Sequence, residues 1–440
     1  MKRTVLWLIG LALALAAAWL TVAASGALVR VTPAQQAALD LLRAPNDRAV
    51  GQHNAFELFW SLPYAVPEDR WAAVLAKDAA TIDSWQPGAQ AFAAAGYGPL
   101  ESAGAPPFPG CGASCLATAR ADTPAIREAV AARAARLERI NQLGRYDHSH
   151  WPFARGPNSP IPAYANTVSV QLYAAALSHL DGNSDGALRS LCRDLGALRR
   201  LRGRSDMLIE EMVRAASLLD GIQLLAEIRA ELPPDRPLPP ACSAVLERPK
   251  PEERLACDAI RTEFAMVDGA LRREWPLSEM WTTDALSFSA AAMILAPSEA
   301  TAALYAEDYA EQCRLIVLPL AEFPADHPQT ACSGWEPLLN PFGCRFVRDS
   351  GGSSAHLRQY IQRDRNSEGA LNALALSDWL GAQPDAASAF DARPQGFRTF
   401  EQPLALDGTT LKLGLNQPYA SRATTLDLPL PGSRQPERPE

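Results

Sequence analysis

The sequence predicts a mainly α-helical body, carried behind a single N-terminal transmembrane helix and finished by a small C-terminal β-hairpin. Three observations predict it. Residues 5–24 form an apolar run without charge or proline, led by Lys2 and Arg3. The body repeatedly sets a capping residue ahead of apolar positions at helical spacing. All eight cysteines lie beyond the apolar run, and an even number in an exported body reads as disulfides.

At 1.5 Å per residue, a helix of about 20 residues just crosses the ~30 Å hydrocarbon core of a bilayer. Signal peptides carry a shorter apolar region, about 7–15 residues, before a small-residue cleavage site. An uncleaved anchor over residues 5–24 is therefore expected, with cleavage after Ala24 or Ser25 as the alternative. Lys2 and Arg3 hold the N-terminus in the cytoplasm under the positive-inside rule. That topology places the rest of the chain in the periplasm, tethered to a bacterial inner membrane. Residues 286–297 are the next most apolar stretch and are too short to span.

Composition narrows the partners. The 440 residues carry a net charge of −8, which argues against nucleic acid or anionic lipid as the main partner. Lys stands only at positions 2, 77, 250 and 412, so 37 (41 − 4) of the basic residues are Arg. With so much alanine, this matches the codon usage of a GC-rich bacterium. Cysteines occupy 111, 115, 192, 242, 257, 313, 332 and 344. Short loops close at the least entropic cost. That favours Cys111–Cys115, Cys242–Cys257 and Cys332–Cys344, and leaves Cys192–Cys313. Cys111 and Cys115 lack the companion His pair of a zinc finger.

Along the body, Thr32-Pro33 opens a helix with a capping side chain and a proline at the first helical position. Pro67-Glu68-Asp69 opens another, through Trp71, Leu75 and Ile82. Residues 87–121 turn to Gly, Pro and Ala and read as a long loop pinned by Cys111–Cys115. Thr123-Pro124 caps a helix to Leu143. Segments 165–180, 184–202 and 205–232 are helices joined by turns so short that they must pack antiparallel. Within them Ala176, Leu180, Gly182, Gly186, Ala187 and Leu188 resemble a tetratricopeptide hairpin, but no second copy follows at about 34 residues.

The proline-rich stretch 232–240 is the best internal boundary. Helices follow over 251–274, 298–320 and 354–381. Residues 400–415 then alternate around Asp407-Gly408, a hairpin signal. Residues 426–430 add a short strand, and the charged, Pro-rich last eight residues read as disordered. The expected division is an anchor at 1–28, a helical region with a Gly/Pro loop at 29–157 and a hairpin block at 158–232. A second helical region with a cysteine loop follows at 241–384, then the β-hairpin and tail at 385–440.

Two of the six histidines fall in Asp147-His148-Ser149-His150. Residues i and i+2 share a side of an extended segment. Asp147, His148 and His150 are therefore the candidate catalytic residues, able to supply part of an open metal centre. Asp181, Asn183 and Asp185, followed by Gly186 and Leu188, resemble the first eight positions of an EF-hand calcium loop and are the candidate metal ligands. Cys192 stands at the twelfth position, where the bidentate carboxylate belongs, which removes most of the affinity. Asp349-Ser350-Gly351-Gly352 resembles the nucleophile segment of chymotrypsin-like proteases, but Arg348 replaces that family's glycine and the body is helical.

Glu101-Ser102 lies in a Gly/Pro loop, where a desolvated acid is hard to build. Glu210 with Arg214, and Glu307 with Glu311, read as ordinary surface spacing. No phosphate loop, dinucleotide fingerprint, Ser-x-x-Lys, nucleophile elbow or His-Glu-x-x-His occurs, and no cofactor is expected. The expected role is a binding or scaffold module of the bacterial cell envelope, with a protein partner met by the stacked helices of 165–232. A periplasmic hydrolase and an inhibitor or immunity protein are the alternatives.

Overall fold

The computed structural model describes residues 2–25, 30–45, 53–82, 92–101, 114–153, 169–272, 298–324, 334–349, 353–417 and 423–434, with short pieces at 105–106, 109–111, 160–162, 164 and 332. The apolar stretch 286–297, the protease-like Ser350-Gly351-Gly352 and the tail 435–440 lie outside the described residues.

Helix α1 (Lys2–Ser25) follows the predicted run. Its described side chains are exposed, Trp7 at 79 %, and among the described residues neither hydrophobic core draws on it. Among the described residues no helix is long and apolar enough to cross a membrane. The structure thus gives a helix over the predicted run and does not support the predicted span.

Helix α2 (Pro33–Arg43) begins where Thr32-Pro33 predicts. Thr32 Oγ1 accepts from Gln35 N at 3.2 Å and Gln35 Oε1 accepts from Thr32 N at 2.9 Å, a reciprocal cap on the first turn. Asn54 caps α3 (Ala55–Ser61), and α4 (Trp71–Ile82) follows a tight turn at Glu68–Arg70. After α5 (Cys115–Ala121), the single helix expected to reach Leu143 is two, α6 (Thr123–Ala131) and α7 (Ala134–Ile140). Asp122 caps α6 in place of Thr123, its Oδ1 accepting from Ala125 N at 3.1 Å. The break falls at Arg133, whose guanidinium turns back to the carbonyls of Ala129 and Pro106.

Helices α8 (Ser169–Leu180), α9 (Ser184–Leu201) and α10 (Leu208–Ala230) are the predicted trio. They are followed by α11 (Ser243–Leu246), α12 (Cys257–Arg272), α13 (Ser298–Leu315), α14 (Glu336–Leu339), α15 (Pro341–Asp349), α16 (Ser353–Gly381) and α17 (Ala386–Asp391). Helix α10 is buried along most of its length beneath α8, α9, α12, α16 and the sheet. Helix α5 packs on α8, and α16 and the sheet pack on α10.

The tail does change period. Strands β1 (Leu404–Asp407), β2 (Thr410–Gly414) and β3 (Thr425–Pro429) form one antiparallel sheet in sequence order. Asp407 pairs with Thr410 across the turn, and Gly408 takes φ +58° there, a conformation that glycine adopts without strain. Leu411, Leu413, Leu426 and Leu428 are buried against α10 and α16, one face of the alternation.

Two hydrophobic cores result. The larger gathers α3 to α5, α8, α9, the C-terminal parts of α10 and α16, and the sheet. The smaller gathers α2, α12, α13, Val347 of α15, and the N-terminal parts of α10 and α16. Helices α10 and α16 thus run from the small core into the large one, and they pack side by side.

All eight cysteines are paired. Cys111–Cys115 and Cys332–Cys344 join as predicted. The other two bonds are Cys192–Cys242 and Cys257–Cys313, which corrects the expected Cys242–Cys257 and Cys192–Cys313. Loop closure treats the chain as unfolded, whereas helix packing decides. Cys192 lies on the face of α9 that meets the turn at Pro240–Cys242, and Cys257 opens α12 against the last turn of α13.

Gly203, in the turn between α9 and α10, has φ +67°, and a Cβ there would stand 2.4 Å from the Arg254 carbonyl oxygen and 2.5 Å from that of Glu252. Left-handed backbone and a clash with rigid main chain add, so Gly203→Ala is expected to destabilise the protein by roughly 2–4 kcal/mol. Denaturant unfolding of the full chain in detergent checks this, and a loss under about 0.5 kcal/mol would contradict it.

Candidate functional site

Residues 147–151 cross the molecule as an extended segment between two others. Ala55 N donates to His148 O at 2.9 Å on one side, and on the other Ser149 N donates to Arg204 O at 3.0 Å. The Asn54 amide clasps the His150 backbone, donating to His150 O and accepting from His150 N, both at 2.8 Å. With the strand fixed on both edges, its side chains alternate as the sequence implies. Ser149 turns inward and donates to Glu210 Oε2 at 2.7 Å.

The two histidines take separate carboxylates. His148 Nδ1 lies 2.6 Å from Asp147 Oδ1, and His150 Nδ1 lies 2.7 Å from Asp206 Oδ2. Asp206 is buried and its other oxygen accepts from Trp151 N at 2.9 Å. The contact between Nδ1 and the Asp206 carboxyl fixes the orientation of the His150 ring. The side chain of His150 is 34 % exposed. An oriented imidazole of this kind is the arrangement of a general base or a single metal ligand.

Around His148 the titratable groups crowd. Its hydrogen bond holds the Asp147 carboxyl below the usual range. Burial raises the Glu57 carboxyl, and the neighbouring imidazoles of His148 and His53 oppose that rise. Burial also pushes the Tyr146 phenol up to about 12. Among the described residues no group of three or more His, Cys, Asp or Glu is placed to hold a metal ion.

The calcium-loop residues are each engaged by protein. Asp181 forms a two-point ion pair with Arg127 at 2.7 and 3.0 Å, and this pairing holds its carboxyl low. Asn183 caps α9 through Gly186 N at 3.1 Å, and Asp185 lies 2.8 Å from Arg236. The segment serves as a helix–helix turn. Of the other acids weighed, Glu101 pairs with Arg133 and Arg136, and Glu311 with Arg314.

Behind His150 lies the feature that sequence reasoning missed. Glu210 and Arg214 do pair, but at 1 % and 2 % exposure, which corrects the reading of a surface pair. Glu210 Oε2 accepts from Ser149, Ser205 (3.1 Å) and Tyr164 (3.3 Å), while Oε1 meets Arg214. Glu211 lies 3.0 Å from Arg214 and accepts from Ser205 N at 3.1 Å. Arg202 pairs with Asp364 at 3.0 Å, and Asp364 also accepts from Leu255 N. Arg365 closes the row on the carbonyls of Ile316 and Leu318.

These charges form a belt across α10 and α16, between the two apolar cores. Burial raises the Glu211 carboxyl despite Arg214 beside it, and burial likewise carries Tyr164 well above the usual phenol range. A signal existed in the sequence. Glu211 falls three residues after Leu208 and four before Ala215, on the apolar stripe of its helix.

One acid stands apart from this network. Glu263, between buried Thr262 and Phe264 on α12, is raised to about 7 by burial alone. A carboxyl raised on folding contributes its full share of stability below the unfolded value and loses it as pH climbs through about 7. Glu263→Gln is expected to match wild type near pH 4 and to exceed it by up to about 3 kcal/mol at pH 8. Equal unfolding midpoints at both pH values would count against that burial.

Compared with protein-family models, with curated proteins and with solved structures, the chain has no significant match.

Proposed function

We propose that the chain is a membrane-tethered helical binding module of the bacterial cell envelope, its N-terminus cytoplasmic and its body periplasmic. The observation that carries the reading is the coupling of its two ends: an exposed apolar helix led by Lys2 and Arg3, then a body in which every cysteine is in a disulfide. Disulfides persist in oxidising compartments, and an apolar helix with a basic leader is the route into one. The reading takes the uncharged, proline-free run of residues 5–24 as the span on its sequence.

Fractionated cells test the tether. The full chain is expected to stay in the membrane pellet after carbonate extraction. Protease added to spheroplasts is expected to cut its body, and a thiol reagent is expected to label nothing before reduction. Release into the supernatant, or thiols labelled without reductant, would overturn the placement.

A second reading has one observation in its favour. His150, oriented by buried Asp206 and partly exposed, suits a hydrolytic base, alone or with a metal. Metal analysis of the full chain in detergent separates the readings: below about 0.1 equivalent of zinc is expected of the binding module. About one equivalent, lost in His150→Ala, would favour the hydrolase.

A further inference from the structure

The loop closed by Cys332–Cys344 turns apolar side chains outward. Trp335 is 75 % exposed and Leu338 51 %, and the two lie three residues apart at the single-turn helix α14, so they share a face. The loop is held rigidly behind them. The disulfide ties Cys332 to α15, Asn340 Nδ2 donates to Thr301 Oγ1 on α13 at 3.3 Å, and Val347 of α15 is buried in the smaller core. These apolar groups are presented by a fixed scaffold, so little ordering entropy opposes their burial against a partner.

The place of the loop in the chain bears on what could cover it. Val31 lines one shallow crevice with Gln35, Glu336 and Asn340, so the first residues of the body abut α14. Helix α1 ends at Ser25. The six residues from there to Val31 reach at most about 21 Å. Trp335 precedes Glu336 of the crevice wall, so with α1 as the tether the segment 26–31 bounds its distance from the bilayer. Tryptophan is the side chain enriched at the headgroup level of membranes, where its ring is half in hydrocarbon and its N–H is wet.

We propose that Trp335 and Leu338 seat in the outer interface of the bilayer and give the body a second, orienting contact with the membrane. The inference rests on α1 being the tether. With that contact made, the body is held in one orientation, and the charged belt and His150 stand at a set height above the lipid.

The test uses the full chain in lipid nanodiscs carrying lipids with a nitroxide near the headgroup. Emission lost in Trp335→Phe, a conservative change at an exposed site, isolates the Trp335 signal. Nitroxide lipid is expected to quench that signal to roughly half or less, as for an interfacial indole, and to leave acrylamide a poor quencher. A Trp335 signal untouched by nitroxide lipid overturns the proposal. If acrylamide is also excluded, a second copy or another protein covers the loop, which overturns it equally. Trp7→Phe with Trp19→Phe isolates the tether in the same discs. Their signal unquenched by nitroxides deep in the chains refutes the anchor itself, whereas their signal quenched and that of Trp335 not quenched refutes only the second contact.

Discussion

Arg214→Met is expected to lower the free energy of unfolding by about 3–5 kcal/mol, because it removes one partner from a buried ion cluster and leaves the rest uncompensated. Arg214 contacts both Glu210 and Glu211, and all three are at most 2 % exposed. Glu210 would keep three hydroxyl donors, from Ser149, Ser205 and Tyr164. Glu211 would keep only the Ser205 amide among these donors. Guanidinium unfolding of the full chain in detergent, with disulfides intact, measures the loss. The companion variant Glu210→Gln/Glu211→Gln/Arg214→Met removes the charges together and is expected to recover to within about 2 kcal/mol of wild type. A triple variant as unstable as Arg214→Met would show that packing, not charge balance, sets the cost.

The same belt explains what the sequence could and could not reveal. The start of α2 at Thr32-Pro33 and the turn at Gly408 were legible because each is settled within a few residues of itself. The fate of Glu210 and Arg214 is settled from outside. Ser149 and Tyr164 meet them from other segments, and Asp364 on α16 completes the row beyond Arg202. Nothing within one turn of α10 distinguishes that environment from solvent. Position alone hinted at it, through Glu211 on an apolar stripe. The dyad at His150 was half legible: alternation put His148 and His150 on one side, but only the fold brings up Asp206 from the α9–α10 turn. The disulfides divide in the same way. Cys111–Cys115 and Cys332–Cys344 are local and could be read by loop closure, while the other two follow from which helices touch.

Those two long-range bonds lead to the second large effect. Cys192→Ala/Cys242→Ala is expected to cost about 4 kcal/mol by the loop-entropy relation, against about 2 kcal/mol for Cys111→Ala/Cys115→Ala. The ratio follows from the chain each bond encloses, with sequence separations of 50 and 4. Packing acts in the same direction, since Cys192 and Cys242 are fully buried in the larger core. Cys257–Cys313, with a separation of 56, should match the larger figure, although it serves the smaller core. Equal losses from the long and the short bonds would refute this account, and so would non-reducing peptide maps that join Cys242 to Cys257. The consequence reaches the function proposed. A body whose helices are cross-linked at that strength keeps its shape where no cytoplasmic chaperone attends it, and it depends on an oxidising compartment to form. On the proposed reading the cysteines give the tether a chemical consequence, since the side of the membrane that receives the chain would decide whether its disulfides form.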